Sequence, residues 1–127
     1  MRRVVALWVM VLSADMSALA QSEIFNPVKD AIKASDATAL VKLFTQSVEV
    51  ELDGNTYGKV QSEFVLKDFF KAHPVKDFIF KHSGESEGGI RYAIYSYQSG
   101  RESYTVAILA RPVDDKYIIH KIKFEKD

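Results

Sequence analysis

The chain predicts an α+β fold in which three N-terminal helices pack on a curved, mainly antiparallel sheet. Three observations carry that prediction. The stretch from Ile90 to Phe124 alternates apolar and polar residues as three consecutive strands, Ile90–Tyr97, Arg101–Arg111 and Lys116–Phe124, the two-residue period of a pleated strand. Upstream, apolar residues recur at helical spacing in three separate runs, each giving one buried stripe. Between them Asp53–Gly54 interrupts a short alternating segment as a two-residue hairpin turn. Helices that precede a run of strands, with no strand–helix–strand repeat, point to helices layered on one face of an antiparallel sheet.

The chain has 127 residues, enough for one domain with its own core. A hydrophobic fraction of 47% and a charged fraction of 27% are globular values and argue against disorder. Lysine plus arginine equals aspartate plus glutamate at 17 each, so charge recruits neither nucleic acid nor an anionic membrane.

The first twenty residues read as an address. Arg2 and Arg3 precede the unbroken apolar run Val4–Leu12, Ser13–Ala14–Asp15 breaks it, and Ala18–Leu19–Ala20 supplies a small-x-small site before Gln21. That is the order of a secretory signal peptide. Its roughly nine apolar residues fall well short of the twenty or so that cross a bilayer. The chain thus divides into a cleaved leader, residues 1–20, and one domain, residues 21–127, exported to a periplasm or the extracellular space. Cysteine is absent, which excludes a disulfide framework, a thiol nucleophile, a cysteine-held metal and a lipidated cysteine at the cleavage site.

Along the mature chain, Ile24, Phe25, Val28, Ala31 and Ile32 make one helical stripe from Glu23 to Ala34, with Pro27 tolerable only in its first turn. Ser35–Asp36 interrupts and caps a shorter second helix through about Phe44, inward at Ala37, Leu40, Val41 and Phe44. Val48, Val50 and Leu52 alternate with Glu49 and Glu51 as a strand, and Thr56–Tyr57 returns after the turn. From Lys59 to Ala72 the helical period resumes through Val65, Leu66, Phe69 and Phe70, with Val60 and Phe64 assigned near the same face, until His73–Pro74 stops it. Phe78, Phe80 and His82 then point one way on a strand, and Gly84–Gly89 loops into the meander.

Alternation assigns two faces to the meander. Tyr92, Ile94, Val106, Ile108, Ile118, Ile122 and Phe124 are expected to join Phe78 and Phe80 beneath the helices. Ala93, Tyr95, Tyr97, Thr105, Ala107, Leu109, Tyr117, Ile119, Lys121 and Lys123 form the other, mixed face. Around Tyr95, Ala107 and Ile119 that face suits a homodimer contact.

The helix–helix–hairpin–helix–meander order resembles the nuclear-transport-factor-two-like fold, the cone-shaped group that includes ketosteroid isomerases and scytalone dehydratase. More narrowly, the chain resembles a family of small exported bacterial proteins known as domain of unknown function 4783. Ile24–Ile32, Val48–Gly54, Leu66–Phe70 and Tyr117–Lys126 carry the likeness. These are packing and turn residues. The resemblance implies a curved cone and no assigned activity.

Chemistry has few candidates. His120 lies between Ile118 and Ile122, and His82 follows Phe80 on the same expected side. With meander strands adjacent in order, the two histidines sit three strands apart. At about 4.8 Å per strand that is roughly 14 Å, too far to share a metal. Asp53 ends a strand, as the catalytic aspartate does in ketosteroid isomerases, but the hairpin turn accounts for it fully. No tyrosine on the first helix offers an oxyanion donor. Phe25, Phe69, Tyr92, Tyr104 and His120 would together line a mostly apolar pocket with few polar groups, the general form of a small-molecule site. The glycine-rich segment Gly84–Gly89 carries two glutamates and no lysine, unlike a phosphate loop. The sequence therefore favours a non-catalytic module for a small apolar ligand or a protein partner, needing no cofactor or metal. The alternative is a cofactor-independent isomerase, dehydratase or hydrolase using His120 or Asp53 with a tyrosine.

Overall fold

A computed structural model of the protein describes residues 24–127. The expected leader over residues 1–20, with its cleavage site and the export it implies, lies outside the described residues.

Helix α1 (Asn26–Lys33) accommodates Pro27 in its first turn and buries Val28, Ala31 and Ile32. It stops where Ser35 enters the left-handed region at φ 54°. The next residue, Asp36, caps α2 (Ala37–Val41) by accepting a hydrogen bond from the Ala39 amide at 3.0 Å. This helix is shorter than its periodicity implies. Phe44 belongs instead to β1 (Phe44–Leu52), because the amide of Ile119 captures the Leu43 carbonyl at 3.0 Å and draws the chain into a sheet. Asp53 and Gly54, at φ 51° and 81°, make the tight turn to β2 (Asn55–Tyr57).

Helix α3 (Lys59–Ala72) ends before Pro74 and buries Ser62, Leu66, Phe69 and Phe70. Val60 and Phe64 do not join that stripe: they are 89% and 73% exposed. At 3.6 residues per turn they fall about half a turn from Ser62 and Leu66. The remaining elements are β3 (Asp77–Glu85), a short 3₁₀ turn at Glu87–Gly89, β4 (Arg91–Ser99), β5 (Glu102–Val113) and β6 (Lys116–Lys126).

The six strands lie in the order β2-β1-β6-β5-β4-β3, antiparallel except for the parallel pair β1–β6. The expected curved cone is not formed. The order is open, with β2 and β3 as its two edges, and closure would require those two strands to meet. What stands is an α+β layout of helices on a mainly antiparallel sheet. No helix among the described residues is long and apolar enough to cross a membrane.

The expected faces need correction on three strands. On β4 the buried residues are Ala93, Tyr95 and Tyr97, paired with Ile108, Val106 and Tyr104 of β5. Tyr92 and Ile94 therefore point to the other side. The joint is a two-residue loop, Gly100–Arg101, closed by Ser99 and Glu102, with Gly100 at φ 61°. The expected strand ends leave a three-residue joint at 98–100, and that one residue of extra loop length inverts the parity of the whole strand against β5. On β6, Ile119, Ile122 and Phe124 are buried. Ile119 and Ile122 can share a face only because the ladder to β5 passes from Lys121 directly to Ile119 and leaves His120 as a bulge.

A similar shift between Phe80 and His82 on β3 moves His82 opposite Ile94, away from the buried side that holds Phe78. The homodimer contact loses its basis for the same reasons. Tyr95 stacks on Phe78 with ring centroids 4.4 Å apart, Ile119 is buried, and Ala107 alone of the three is partly exposed.

Candidate functional site

The core thickens into an aromatic cluster where α3 ends over β4, β5 and β6. Phe69 is its hub, with ring centroids 4.9 Å from Phe124, 5.0 Å from His73, 5.1 Å from Tyr104 and 5.4 Å from Tyr97. The four-residue step from Phe69 to His73 is one helical turn, which brings the two rings onto one face. Beside them, between α3 and the β1–β2 turn, opens a cleft of about 290 Å³. Leu52, Val65 and Phe69 form its apolar wall, and Asp53, Asn55, Asp68 and His73 its polar rim.

Behind Phe69 lies a polar relay. The Tyr104 hydroxyl donates to Glu102 Oε2 at 2.9 Å and lies 3.4 Å from both ring nitrogens of His73. His73 Nδ1 is 3.4 Å and Lys126 Nζ 3.6 Å from the same carboxylate oxygen. The Tyr97 hydroxyl donates to the His73 carbonyl at 2.5 Å, tying the end of α3 to the sheet. Burial, then the bond to Glu102 and the nearby charges of Glu102 and Asp53, push Tyr104 up to about 12. Burial raises Tyr97 further still. Glu102 is held below the usual carboxylate range, first by the Tyr104 bond and then by Lys126 and His73. At neutral pH the relay is thus a neutral phenol bound to an ionised carboxylate. It fixes the back of the cleft and offers no strong base.

The structure brings together some of the residues singled out from the sequence and separates others. Phe69 and Tyr104 meet, and Asp53 stands at the mouth of the same cleft. Phe25 is buried at the start of α1. Tyr92 lies on the other side of β4, where its hydroxyl meets His82 Nε2 at 2.8 Å. His120 sits in the β6 bulge with its Nδ1 buried and unpartnered. Desolvation lowers its pKa, Arg111 and Lys121 push it further down, and Glu49 opposes them. His82 and His120 do lie on strands separated by β4 and β5. Among the described residues no cluster of three or more histidines and carboxylates could hold a metal.

Sequence reasoning missed two members of the relay. His73 reads in the sequence only as a helix end, although its one-turn spacing from Phe69 places it on the apolar stripe. Glu102 carries no sequence signal beyond its two-residue spacing from Tyr104, which puts both on one face of β5.

The family model described as Domain of unknown function (DUF4783) matches residues 25–125. A DUF4783 family protein from Bacteroides uniformis is similar in structure with a TM-score of 0.71 at 24% identity, over 80% of this chain and 94% of that one. A second, from Bacteroides ovatus, gives 0.72 at 21% identity, over 80% and 94%. An NTF2-like protein of unknown function from Shewanella baltica gives 0.66 at 15% identity, over 88% and 94%. No curated protein matches the chain.

Proposed function

The chain belongs to the DUF4783 family, and on that premise we propose that it is a non-catalytic module holding a small, largely apolar ligand in the cleft between α3 and the β1–β2 turn. One observation carries this reading. Phe69 is at once the hub of the aromatic core and part of the cleft wall, so the apolar surface offered to a ligand is held rigidly from behind. A preformed apolar wall with a few polar groups at its rim is how small molecules are held.

Two features support binding over proton transfer. The Tyr104 hydroxyl, behind the Phe69 wall of the cleft, is committed to Glu102. Asp53 is an exposed turn residue in a left-handed conformation, a role that accounts for it without chemistry. We also place the protein outside the cytoplasm, on the leader-like order of residues 1–20.

Native mass spectrometry of the purified protein tests the reading. A small molecule should copurify, and Val65→Trp, which fills the cleft from its wall, should abolish its retention while the circular dichroism spectrum is unchanged. Retention by the filled variant, or no retained molecule after exposure to a panel of apolar compounds, would refute it.

A further inference from the structure

A second cleft lies where two irregularities of the sheet coincide. Strand β6 pairs with β1 through Phe44–Ile119 and then Glu49–Lys121, and with β5 through Ala110–Ile119 and then Leu109–Lys121. Both ladders skip His120, and residues 45–48 leave the β1–β6 ladder altogether. Paired bulges of this kind re-aim side chains and are over-represented beside sites. Here the detour opens a cleft of about 410 Å³ between the start of β1, the first residue of α3 and the β5–β6 turn. Phe44, Val113 and Ile118 give it an apolar wall, while Lys59, Arg111, Thr45, Gln46 and Ser47 supply its polar groups.

Those polar groups are unbalanced in charge and incompletely bonded. Among the described residues neither cation has a carboxylate partner: Lys59 Nζ donates to the Phe44 carbonyl at 3.1 Å, and Arg111 Nη2 reaches Ser47 Oγ at 3.4 Å. An ammonium has three donors and a guanidinium five, so most of their capacity is unused. Glu49, whose charge His120 feels, is engaged with Lys121 at 4.0 Å. Thr45 is only 8% exposed, and its hydroxyl is buried without a partner. The second orphaned buried atom, His120 Nδ1, belongs to the bulge that both ladders share. Buried polar groups are rarely left unsatisfied, and those that are call for a missing partner. No side chain caps the first turn of α3, which contributes Lys59, so the helix dipole adds positive potential at this end.

We propose that this cleft binds a small amphiphilic anion, a monocarboxylate with an apolar body. The carboxylate lies between Arg111 and Lys59 and accepts from the Thr45 hydroxyl, and the body packs on Phe44, Val113 and Ile118. The site is distinct from the cleft beside Phe69, whose rim carboxylates Asp53 and Asp68 would repel the same ligand.

The test titrates the purified protein with 2-naphthoate and with its neutral counterpart 2-naphthamide, followed by amide chemical shifts. Naphthoate should bind at least about tenfold more tightly than the amide, the ratio of one charge-assisted hydrogen bond, with shifts at Thr45, Ser47, Arg111 and Ile118. Arg111→Gln should weaken naphthoate by about tenfold or more. Thr45→Val should weaken it several-fold while the melting temperature holds or rises, since the variant removes an orphaned hydroxyl and little volume. Equal affinity for acid and amide, no saturation, shifts centred on Tyr57, Val65 and Phe69 instead, or indifference of both variants would each overturn the proposal. So would inorganic phosphate competing as well as naphthoate, because the apolar wall would then contribute nothing.

Discussion

Tyr104 donates its hydroxyl proton to Glu102 across 2.9 Å, between two positions on one face of β5. The phenol is buried and its partner carries negative charge, so the folded protein favours the neutral tyrosine, which is pushed up to about 12. Tyr97 is raised for the same principal reason, burial. A raised folded-state value gives stability that is fully present below the ordinary phenol range near 10 and is lost as pH rises through the folded value. Melting temperatures followed by circular dichroism should therefore fall steeply above about pH 10, with a shallower alkaline limb in Tyr104→Phe. A flat profile up to pH 12 would sink the assignment.

The same pair predicts the effect of removing the charge. In Glu102→Gln the amide still accepts from Tyr104 but no longer opposes the phenolate, so near-ultraviolet absorbance should show Tyr104 ionising at lower pH than in the wild type. Glu102 is also held below its ordinary value, which places its contribution above the unfolded carboxylate range near 4 and removes it on acidification. The variant should accordingly lose less stability than wild type between about pH 5 and pH 3. An unchanged tyrosine titration would place the Tyr104 proton elsewhere.

His120 predicts a second acid-side effect at higher pH. Desolvation in the bulge lowers its pKa, with Arg111 and Lys121 adding to the shift against Glu49. The unfolded chain then binds more protons than the folded one just below the free imidazole value of about 6.5, so stability is present above that value and declines as pH falls through the folded one. His120→Asn should flatten the profile between about pH 6.5 and 5, leaving the alkaline limb unchanged. Imidazole resonances should show His120 titrating below the free value. A normal titration would mean that the ring lies in water.

How much of this was legible in the sequence divides along physical lines. Helix α3, the Asp53–Gly54 hairpin and the adjacency of the four long strands follow from period and turn chemistry, which are local. The boundary of α2 was not, because Phe44 is taken by a pairing with Ile119 more than seventy positions away along the chain. Parity on β4 turned on one residue of loop length at Gly100, and both faces of that strand are apolar enough to be inside. The bulges at Lys81 and His120 leave no trace in an alternation pattern, yet each moves a histidine relative to the residues around it. The cleft beside Phe69 was visible only as a hydrophobic helix stripe. Its relay joins a helix end to a strand through His73 and Glu102, which only the tertiary structure places together.

Gly84 gives a prediction at an ordinary-looking position. A Cβ added there would stand 2.6 Å from the Tyr92 hydroxyl and 2.8 Å from its ring carbons, contacts that cannot form. Tyr92 must swing away and lose its 2.8 Å bond to His82. Because the ring is the movable end of a partly exposed side chain, Gly84→Ala should cost about 1 kcal/mol, no more than one hydrogen bond. In a Tyr92→Ala background the same change should cost nothing measurable by urea unfolding. Equal costs in the two backgrounds would place the strain in the backbone.

Helix α3 offers the sharpest contrast between residues that its sequence makes look alike. Phe64 and Phe69 are five positions apart on one helix, and both count as core by hydrophobicity. Phe69 is buried within reach of five aromatic or imidazole rings, whereas Phe64 is 73% exposed. Truncating the first leaves a cavity that the surrounding rings cannot fill, so Phe69→Ala should lose about 3–5 kcal/mol. Truncating the second removes a side chain already in water, so Phe64→Ser should stay within about 0.5 kcal/mol of wild type. Urea midpoints with unchanged slopes would read both directly. Comparable losses in the two variants would mean that the face carrying Val60 and Phe64 is covered in solution. Concentration-dependent stability would then show whether a second copy of the chain provides the cover.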